Sequence, residues 1–181
     1  MGPVPTYIAF LRAINLGKSR KFPKDAIAGA TASIGARDVA TYINTGNVRL
    51  ASSMRSPAKV EAALEAAYLA DRGFEVPTIV FTPPQLREVV ADCEALRAEF
   101  GEPGTHYVTL LKATPPLAAV DAVHALQAPH ERLVVRGRAL HLMTDGGVQG
   151  SRLDNARELK DLGVGTARTV NVVRTLVERW C

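Results

Sequence analysis

The sequence has only two cysteines, Cys93 and Cys181, and they lie far apart in its 181 residues. This pattern argues against a disulfide framework, and no C-x-x-C spacing indicates a zinc finger. No run approaches the roughly 18 consecutive apolar residues that would span a membrane. The start of the chain also lacks the basic segment and cleavage site of a secretion signal. We therefore expect a cytoplasmic protein without a membrane partner.

Signatures of catalysis are also missing. The sequence contains no H-E-x-x-H, G-x-S-x-G or G-x-G-x-x-G motif. Its four histidines, His106, His124, His130 and His141, are scattered, and a single strand histidine is more often packed than catalytic. Cys93 is expected in the core, within an amphipathic helix. No catalytic set can be assembled, so the sequence does not decide whether the protein is an enzyme, and it indicates no metal or other cofactor.

Acidic residues are fewer than basic ones in the first half of the chain and balance them in the second half. Residues 1–90 hold 11 Lys and Arg against 7 Asp and Glu, a surplus of four, whereas residues 91–181 hold 11 against 11. A mildly basic half can attract anionic ligands, but four charges fall short of a dedicated nucleic-acid binder. The overall composition, 47% hydrophobic and 22% charged, is that of a folded chain.

Hydrophobic patterning in the first half predicts the order βαββαβ, with both helices on one face of an antiparallel sheet. A buried strand, a helix, a hairpin, a second helix and a last strand follow one another. The corresponding segments are "TYIAFLR", "PKDAIAGATASIGA", "VATYI" with "VRLAS", "SPAKVEAALEAAYLADRGF" and "EVPTIVF".

The second half predicts a similar order after a connecting helix, "TPPQLREVVADCEALRAEF". The fold class is therefore α+β: two tandem ferredoxin-like (βαββαβ) plaits with antiparallel sheets, at residues 1–82 and 83–181, plus a C-terminal helix. The remaining segments are the strand "HYVTLLKA", the helix "TPPLAAVDAVHAL" capped by Thr114, the hairpin "RLVVRGRALHLM", the helix "SRLDNARELKDLG" and the terminal helix "TARTVNVVRTLVERW".

A basic loop after the first strand, "LRAINLGKSRKFPK", is the first candidate site. Arg12 offers a planar fork suited to carboxylate or phosphate. Asn15 can turn the chain and donate from its amide, Gly17 lets the backbone approach a ligand, and Lys21 adds positive charge. A solvated loop that only keeps the protein soluble is the alternative.

The hairpin turn "YINTGN" is the second candidate, with Asn44 and Asn47 as possible ligand donors. The same residues are what a tight turn requires for its backbone angles, so a purely structural role is the alternative. In a plait of the usual strand order, the Arg12 end of the first strand meets the Asn47 end of the third. We therefore expect these two segments to be neighbours.

Two further candidates lie in the second half. Ser151 and Arg152, in "DGGVQGSRLDNAR", follow glycines that lead into a predicted helix start, where free amides attract anions. A capping box of Ser151 with Asp154 competes for those amides. Nearer the end, Arg168 and Asn171 share a face of the predicted terminal helix.

Four segments resemble a bacterial family known only as domain of unknown function 1697: "YIAFLRAINLG", "TYINTGNV", "GSRL" and "LGVGTARTVNVV". The resemblance covers nearly the whole chain and implies a two-part α+β structure of ferredoxin-like type, without an established activity. The sequence departs from the family's usual residues at Ala13 and Lys18, where glycine is common. It also has Thr-Val-Asn-Val at 169–172 where Asn-Trp-Asn-Thr is common.

Three functions fit these features. We favour binding of an anionic ligand that carries phosphate or carboxylate groups and is nucleotide-like, with nucleic acid as a less favoured partner because strand aromatics are few. An enzyme acting on a phosphorylated or carboxylated metabolite is the second. An oligomerising scaffold that uses sheet edges or the terminal helix is the third, and the sequence leaves the oligomeric state open.

Overall fold

A computed structural model describes residues 4–126 and 128–181. The chain divides into two compact units. One extends through Gln85 and includes Trp180 and Cys181, and the other comprises Leu86–Arg179. Each unit carries one four-stranded sheet in which every strand pair is antiparallel. The fold class is α+β, as the sequence predicts.

The first unit follows the predicted order. Its sheet has the strand order β2-β3-β1-β4, the ferredoxin-like arrangement, with the apolar strand β1 in the interior of the sheet. The elements are β1 (Thr6–Leu11), α1 (Lys24–Ser33), β2 (Arg37–Tyr42), β3 (Asn47–Ala51), α2 (Pro57–Arg72) and β4 (Thr78–Phe81).

One face of this sheet packs on α1 and α2. Side chains alternate along a strand, so Tyr7, Ala9 and Leu11 of β1 join the same core cluster as Leu64 and Tyr68 of α2. Complete burial of one large aliphatic side chain stabilises the fold by about 1.5–3 kcal/mol. The core thereby fixes β1, and with it the point where the basic loop leaves the sheet.

The second unit repeats the strand order as β6-β7-β5-β8. One face of its sheet, with Leu140 and Leu142 of β7, packs on α4 and the 3₁₀ segment. The elements are α3 (Pro83–Phe100), β5 (Thr105–Leu111), α4 (Leu117–His124), β6 (Glu131–Arg136), β7 (Ala139–Thr144), a 3₁₀ helix (Arg157–Leu162), β8 (Gly165–Thr169) and α5 (Val170–Trp180).

Three predictions for this half are wrong. The helix "SRLDNARELKDLG" is reduced to the 3₁₀ segment Arg157–Leu162, and the segment "TARTVNVVRTLVERW" begins with strand β8 before α5 starts. In β8, burial alternates with period two, because Thr166 and Arg168 are buried while Ala167 is exposed. The third is the cap of α4, which is Pro116 rather than Thr114. A proline disfavours helical angles in the residue before it, which delays the start.

No helix among the described residues is both long enough and apolar enough to cross a membrane.

Candidate functional site

The basic loop and the hairpin turn are neighbours in the first unit. Strands β1 and β3 run antiparallel with Phe10 opposite Asn47. The backbone N–H of Leu11 donates to the carbonyl oxygen of Gly46 at 2.8 Å. The end of β1 and the turn before β3 therefore lie side by side at the same end of the sheet, as the predicted strand order implies.

Gly46 makes this contact possible. Its φ is +79°, and a Cβ placed on it would lie 2.7 Å from Leu11 Cβ and 2.9 Å from Ile14 Cδ1. Only glycine satisfies both requirements, since other residues rarely adopt this φ and their Cβ would overlap the loop. The turn thus supports the loop by direct packing.

Asn15 braces the loop from within. Its Nδ2 donates to the carbonyl oxygens of Asn44 at 2.8 Å and Phe22 at 3.2 Å, and its Oδ1 accepts from the Phe22 N–H at 2.8 Å. The φ of Asn15 is +56°, a left-handed conformation that asparagine tolerates. These bonds engage the amide with the protein's own backbone, so Asn15 shapes the site rather than offering its amide to a ligand.

The Asn47 side chain likewise stabilises the backbone of the hairpin turn. It is buried, and its Nδ2 donates to the carbonyl oxygen of Tyr42 and to Thr45 Oγ1, both at 3.0 Å. A buried amide must find partners for its N–H groups, and the turn supplies them. The structural alternative for Asn47 therefore has direct support.

Arg12 and Arg20 differ in their contacts with the loop. Arg12 is exposed and does not line the groove described below, and its guanidinium makes no hydrogen bond or ion pair within the described residues. Arg20, which sequence reasoning did not single out, donates from Nε to the carbonyl oxygen of Ala13 at 2.6 Å and lies 4.6 Å over the Phe74 ring. Arg20 holds the loop closed, and Arg12 extends from it.

A groove of about 820 Å³ opens beside this loop. It brings together four of the sequence-predicted residues, three on the loop and one on the hairpin turn. The lining residues are Asn15, Gly17, Lys21, Pro23, Lys24, Asp25, Asn44 and Arg72.

The N-terminus of α1 opens onto the groove. The N-cap residue is Pro23, which has no side-chain acceptor, and the helix start has no side-chain cap hydrogen bond within the described part of the chain. The first N–H groups of a helix have no intrahelical partner and carry the positive end of the helix dipole. Lys24 lies in that first turn and adds positive charge, while Asp25 in the same turn offsets part of it.

The third candidate segment already holds a carboxylate. Ser151 Oγ donates to Glu131 Oε2 at 2.6 Å, and the backbone N–H groups of Arg152 and Leu153 donate to the same carboxylate at 2.9 and 3.2 Å. Burial acts to raise the pKa of Glu131, but these hydrogen bonds lower it, and the net shift is downward. The hydrogen-bond donors that the sequence predicted for an anionic ligand are thus occupied by the protein's own carboxylate.

The predicted helical face of Arg168 and Asn171 does not exist. Arg168 lies in β8, where it is 6% exposed and donates to Thr166 Oγ1 at 2.9 Å and the Ala167 carbonyl oxygen at 2.8 Å. Asn171 is exposed and lies in the first turn of α5. Burial lowers the pKa of Arg168 to about 10. The prediction was wrong because it placed both residues on one helix.

Sequence reasoning also missed a buried cluster in the second unit. Cys93, His106 and His141, which lie on α3, β5 and β7, offer side-chain N and S atoms that all lie within 4.8 Å of one another. In contrast, His124 accepts a backbone hydrogen bond at 2.9 Å and His130 pairs with Asp145 at the surface. The pairing of β5 with β7 brings the two strand histidines together, and that pairing follows from the plait's strand order.

The two plaits, each with the strand order of a ferredoxin-like sheet, define the class of this protein. A family described as "Protein of unknown function (DUF1697)" matches residues 4–141, and the chain belongs to it. A solved structure, the conserved bacterial protein SP0830 from Streptococcus pneumoniae, is similar with a TM-score of 0.77 and 18% identity, over 98% of each chain. At that identity the likeness shows the fold alone. No curated protein matches the chain.

Proposed function

We propose that the protein binds a small phosphate-bearing, nucleotide-like anion in the groove beside the loop after β1. The observation that carries this proposal is the convergence of Lys21, Lys24 and the uncapped start of α1 on one groove. Side-chain ammonium groups and free backbone N–H groups are the donors that phosphate oxygens accept from.

The charge of the groove favours an anion. Three cationic residues, Lys21, Lys24 and Arg72, line it against one carboxylate, Asp25. Arg72 is partly neutralised, since its Nε lies 2.7 Å from Asp71 Oδ2. The ammonium groups of Lys21 and Lys24, however, make no ion pair with any described residue and are available to a ligand.

The size and chemistry of the groove favour binding over catalysis. Its volume of about 820 Å³ falls within the range of roughly 300–1,000 Å³ typical of small-ligand sites. Its lining contains neither histidine nor cysteine. Asp25 and the two lysines are the only lining groups that could exchange a proton with a ligand, and we expect them to hold charge rather than to react. A bound ligand should therefore persist unchanged.

The test is a calorimetric and thermal-shift comparison of inorganic phosphate, triphosphate, citrate and nucleoside triphosphates. Triphosphate-bearing probes should bind, and the Lys21→Ala, Lys24→Ala double variant should lose roughly tenfold or more per lysine, since each charged hydrogen bond contributes about 1.5–3 kcal/mol. Lys59→Ala is the matched control, because Lys59 is exposed on α2 and does not line the groove.

Two outcomes would overturn the proposal. One is that no member of the panel binds the wild type at low salt. The other is that the Lys59 variant loses as much affinity as the double variant. Binding of a single-stranded oligonucleotide in preference to triphosphate, with affinity that falls steeply with salt, would identify nucleic acid as the partner instead. Consumption of a bound probe would indicate an enzyme.

A further inference from the structure

We propose that Cys93, His106 and His141 form a zinc(II) site in the core of the second unit, separate from the groove of the first. The three side chains come from α3, β5 and β7. All three are buried, with exposed fractions of 0%, 3% and 0%. Cysteine and histidine are the residues that zinc prefers, and here they point at one another.

Two of the three distances between ligand atoms are close to those around a tetrahedral ion. His106 Nε2 lies 3.1 Å from His141 Nδ1, and Cys93 Sγ lies 3.8 Å from the same nitrogen. Zinc bonds of about 2.0–2.1 Å to nitrogen and about 2.3 Å to sulfur would place two ligand nitrogens about 3.3 Å apart and a nitrogen and a sulfur about 3.6 Å apart. Shifts of a few tenths of an ångström would bring these two distances to their tetrahedral values. The ligand atoms of Cys93 and His106 lie within 4.8 Å of each other and would close to about 3.6 Å around the ion.

Hydrogen bonds alone satisfy this cluster poorly. In either neutral tautomer His141 Nδ1 offers one lone pair or one N–H, yet both the Cys93 thiol and the His106 ring approach it. The other ring nitrogens, His106 Nδ1 and His141 Nε2, are buried without any partner among the described residues. Three polar side chains in a core usually form a satisfied network. A metal ion would accept one lone pair from each of the three side chains, Cys93, His106 and His141.

The surroundings add some positive charge that a cation must overcome. Three arginines lie near the cluster, and each is paired with a carboxylate: Arg174 with Glu94 at 2.6 Å, Arg97 with Glu102 at 2.7 Å, and Arg136 with Asp92 at 3.1 Å. These carboxylates offset the positive field of the arginines only in part. The thiolate that zinc requires then gives the site a local charge of +1.

Binding must release a proton. Zinc binds a cysteine as the thiolate, so Cys93 must give up its thiol proton. Zinc displaces that proton as the S–Zn bond forms, and both histidines coordinate as neutral rings. Coordination leaves each ring with an unpaired N–H, so we expect weaker affinity than in sites whose histidines donate to a second partner. Three protein ligands leave a fourth position open.

The experiment uses the full chain, stripped with a chelator and titrated with Zn²⁺ against a competing chromophoric chelator. One equivalent should bind with release of about one proton from Cys93 at pH 7, measured by calorimetry in buffers of different ionisation enthalpy. Co²⁺ should give the thiolate charge-transfer absorption of a tetrahedral site. Cys93→Ser and His141→Gln should weaken binding by more than the roughly 10–100-fold that loss of an outer partner causes.

Cys181→Ser is the matched control, because Cys181 is a free and exposed cysteine. It should bind zinc as the wild type does. The proposal is overturned if the wild type binds no zinc, if binding disappears in Cys181→Ser, or if the Co²⁺ complex lacks thiolate absorption. The last two readouts use well-folded proteins, so they decide the matter even if the Cys93 and His141 variants are unstable.

Discussion

Replacing Gly46 with alanine should damage both the first plait and the groove beside it. The new Cβ would lie 2.7 Å from Leu11 Cβ and 2.9 Å from Ile14 Cδ1. Leu11 ends the buried strand β1, and its N–H donates to the carbonyl oxygen of Gly46. Neither neighbour can move away without disturbing the interior of the sheet.

Two costs add in this substitution. An alanine in the left-handed conformation, here at φ +79°, costs roughly 1–2 kcal/mol. Overpacking of a filled core costs about 1–3 kcal/mol. We therefore expect Gly46→Ala to lower the free energy of unfolding by about 2–5 kcal/mol. Gly17→Ala separates the two costs, because Gly17 has φ +60° but no atom within 4 Å of its added Cβ.

Urea denaturation followed by circular dichroism measures both variants. Gly17→Ala should lose only the backbone part, about 1–2 kcal/mol. Equal losses in the two variants would refute the packing argument at Gly46. At temperatures where Gly46→Ala stays folded, its affinity for triphosphate should also fall, since the displaced loop carries part of the groove lining.

Two further substitutions test the loops by denaturation. Ala13→Gly should raise the free energy of unfolding by about 0.5–1 kcal/mol, because Ala13 has φ +57° and glycine adopts that angle without strain; a loss of stability would contradict this. Glu131→Gln should cost about 1–2 kcal/mol at neutral pH, since it weakens three hydrogen bonds at the Ser151 segment. The pKa of Glu131 is shifted below its ordinary value of 4.5. The ionised carboxylate therefore stabilises the fold fully at a pH above 4.5, and this contribution is lost as the pH falls from 4.5 through the lowered pKa. The wild type should therefore lose stability relative to Glu131→Gln below that pH, and parallel pH profiles would exclude the effect.

Local patterns were sufficient to predict the first plait. The apolar run of β1, the N-T-G-N turn and Ser56-Pro57 at the start of α2 each act over a few residues, and the structure places Ser56 at the N-cap of that helix. The adjacency of the basic loop and the turn also followed, because antiparallel pairing of β1 with β3 fixes it.

Long-range contacts account for what the sequence did not show. The donors of Asn15 look available to a ligand until Phe22 and Asn44 supply their partners. Glu131 lies twenty residues before Ser151, so nothing in the glycine-rich segment indicates that a carboxylate fills it. The terminal strand β8 was hidden because five residues of mixed character precede a strong helix.

The contact of Glu131 with residues 151–153 has a consequence for how the second unit responds to its surroundings. A carboxylate tethered to the same chain has an effective concentration on the order of millimolar or more at its partner. Dissolved phosphate or nucleotide must compete against that tethered anion for the amides of Arg152 and Leu153. The connection between β7 and the 3₁₀ helix should therefore keep its conformation across wide changes in metabolite concentration. In the groove of the first unit Asp25 is outnumbered by Lys21, Lys24 and Arg72, so we expect that groove to respond to dissolved anions.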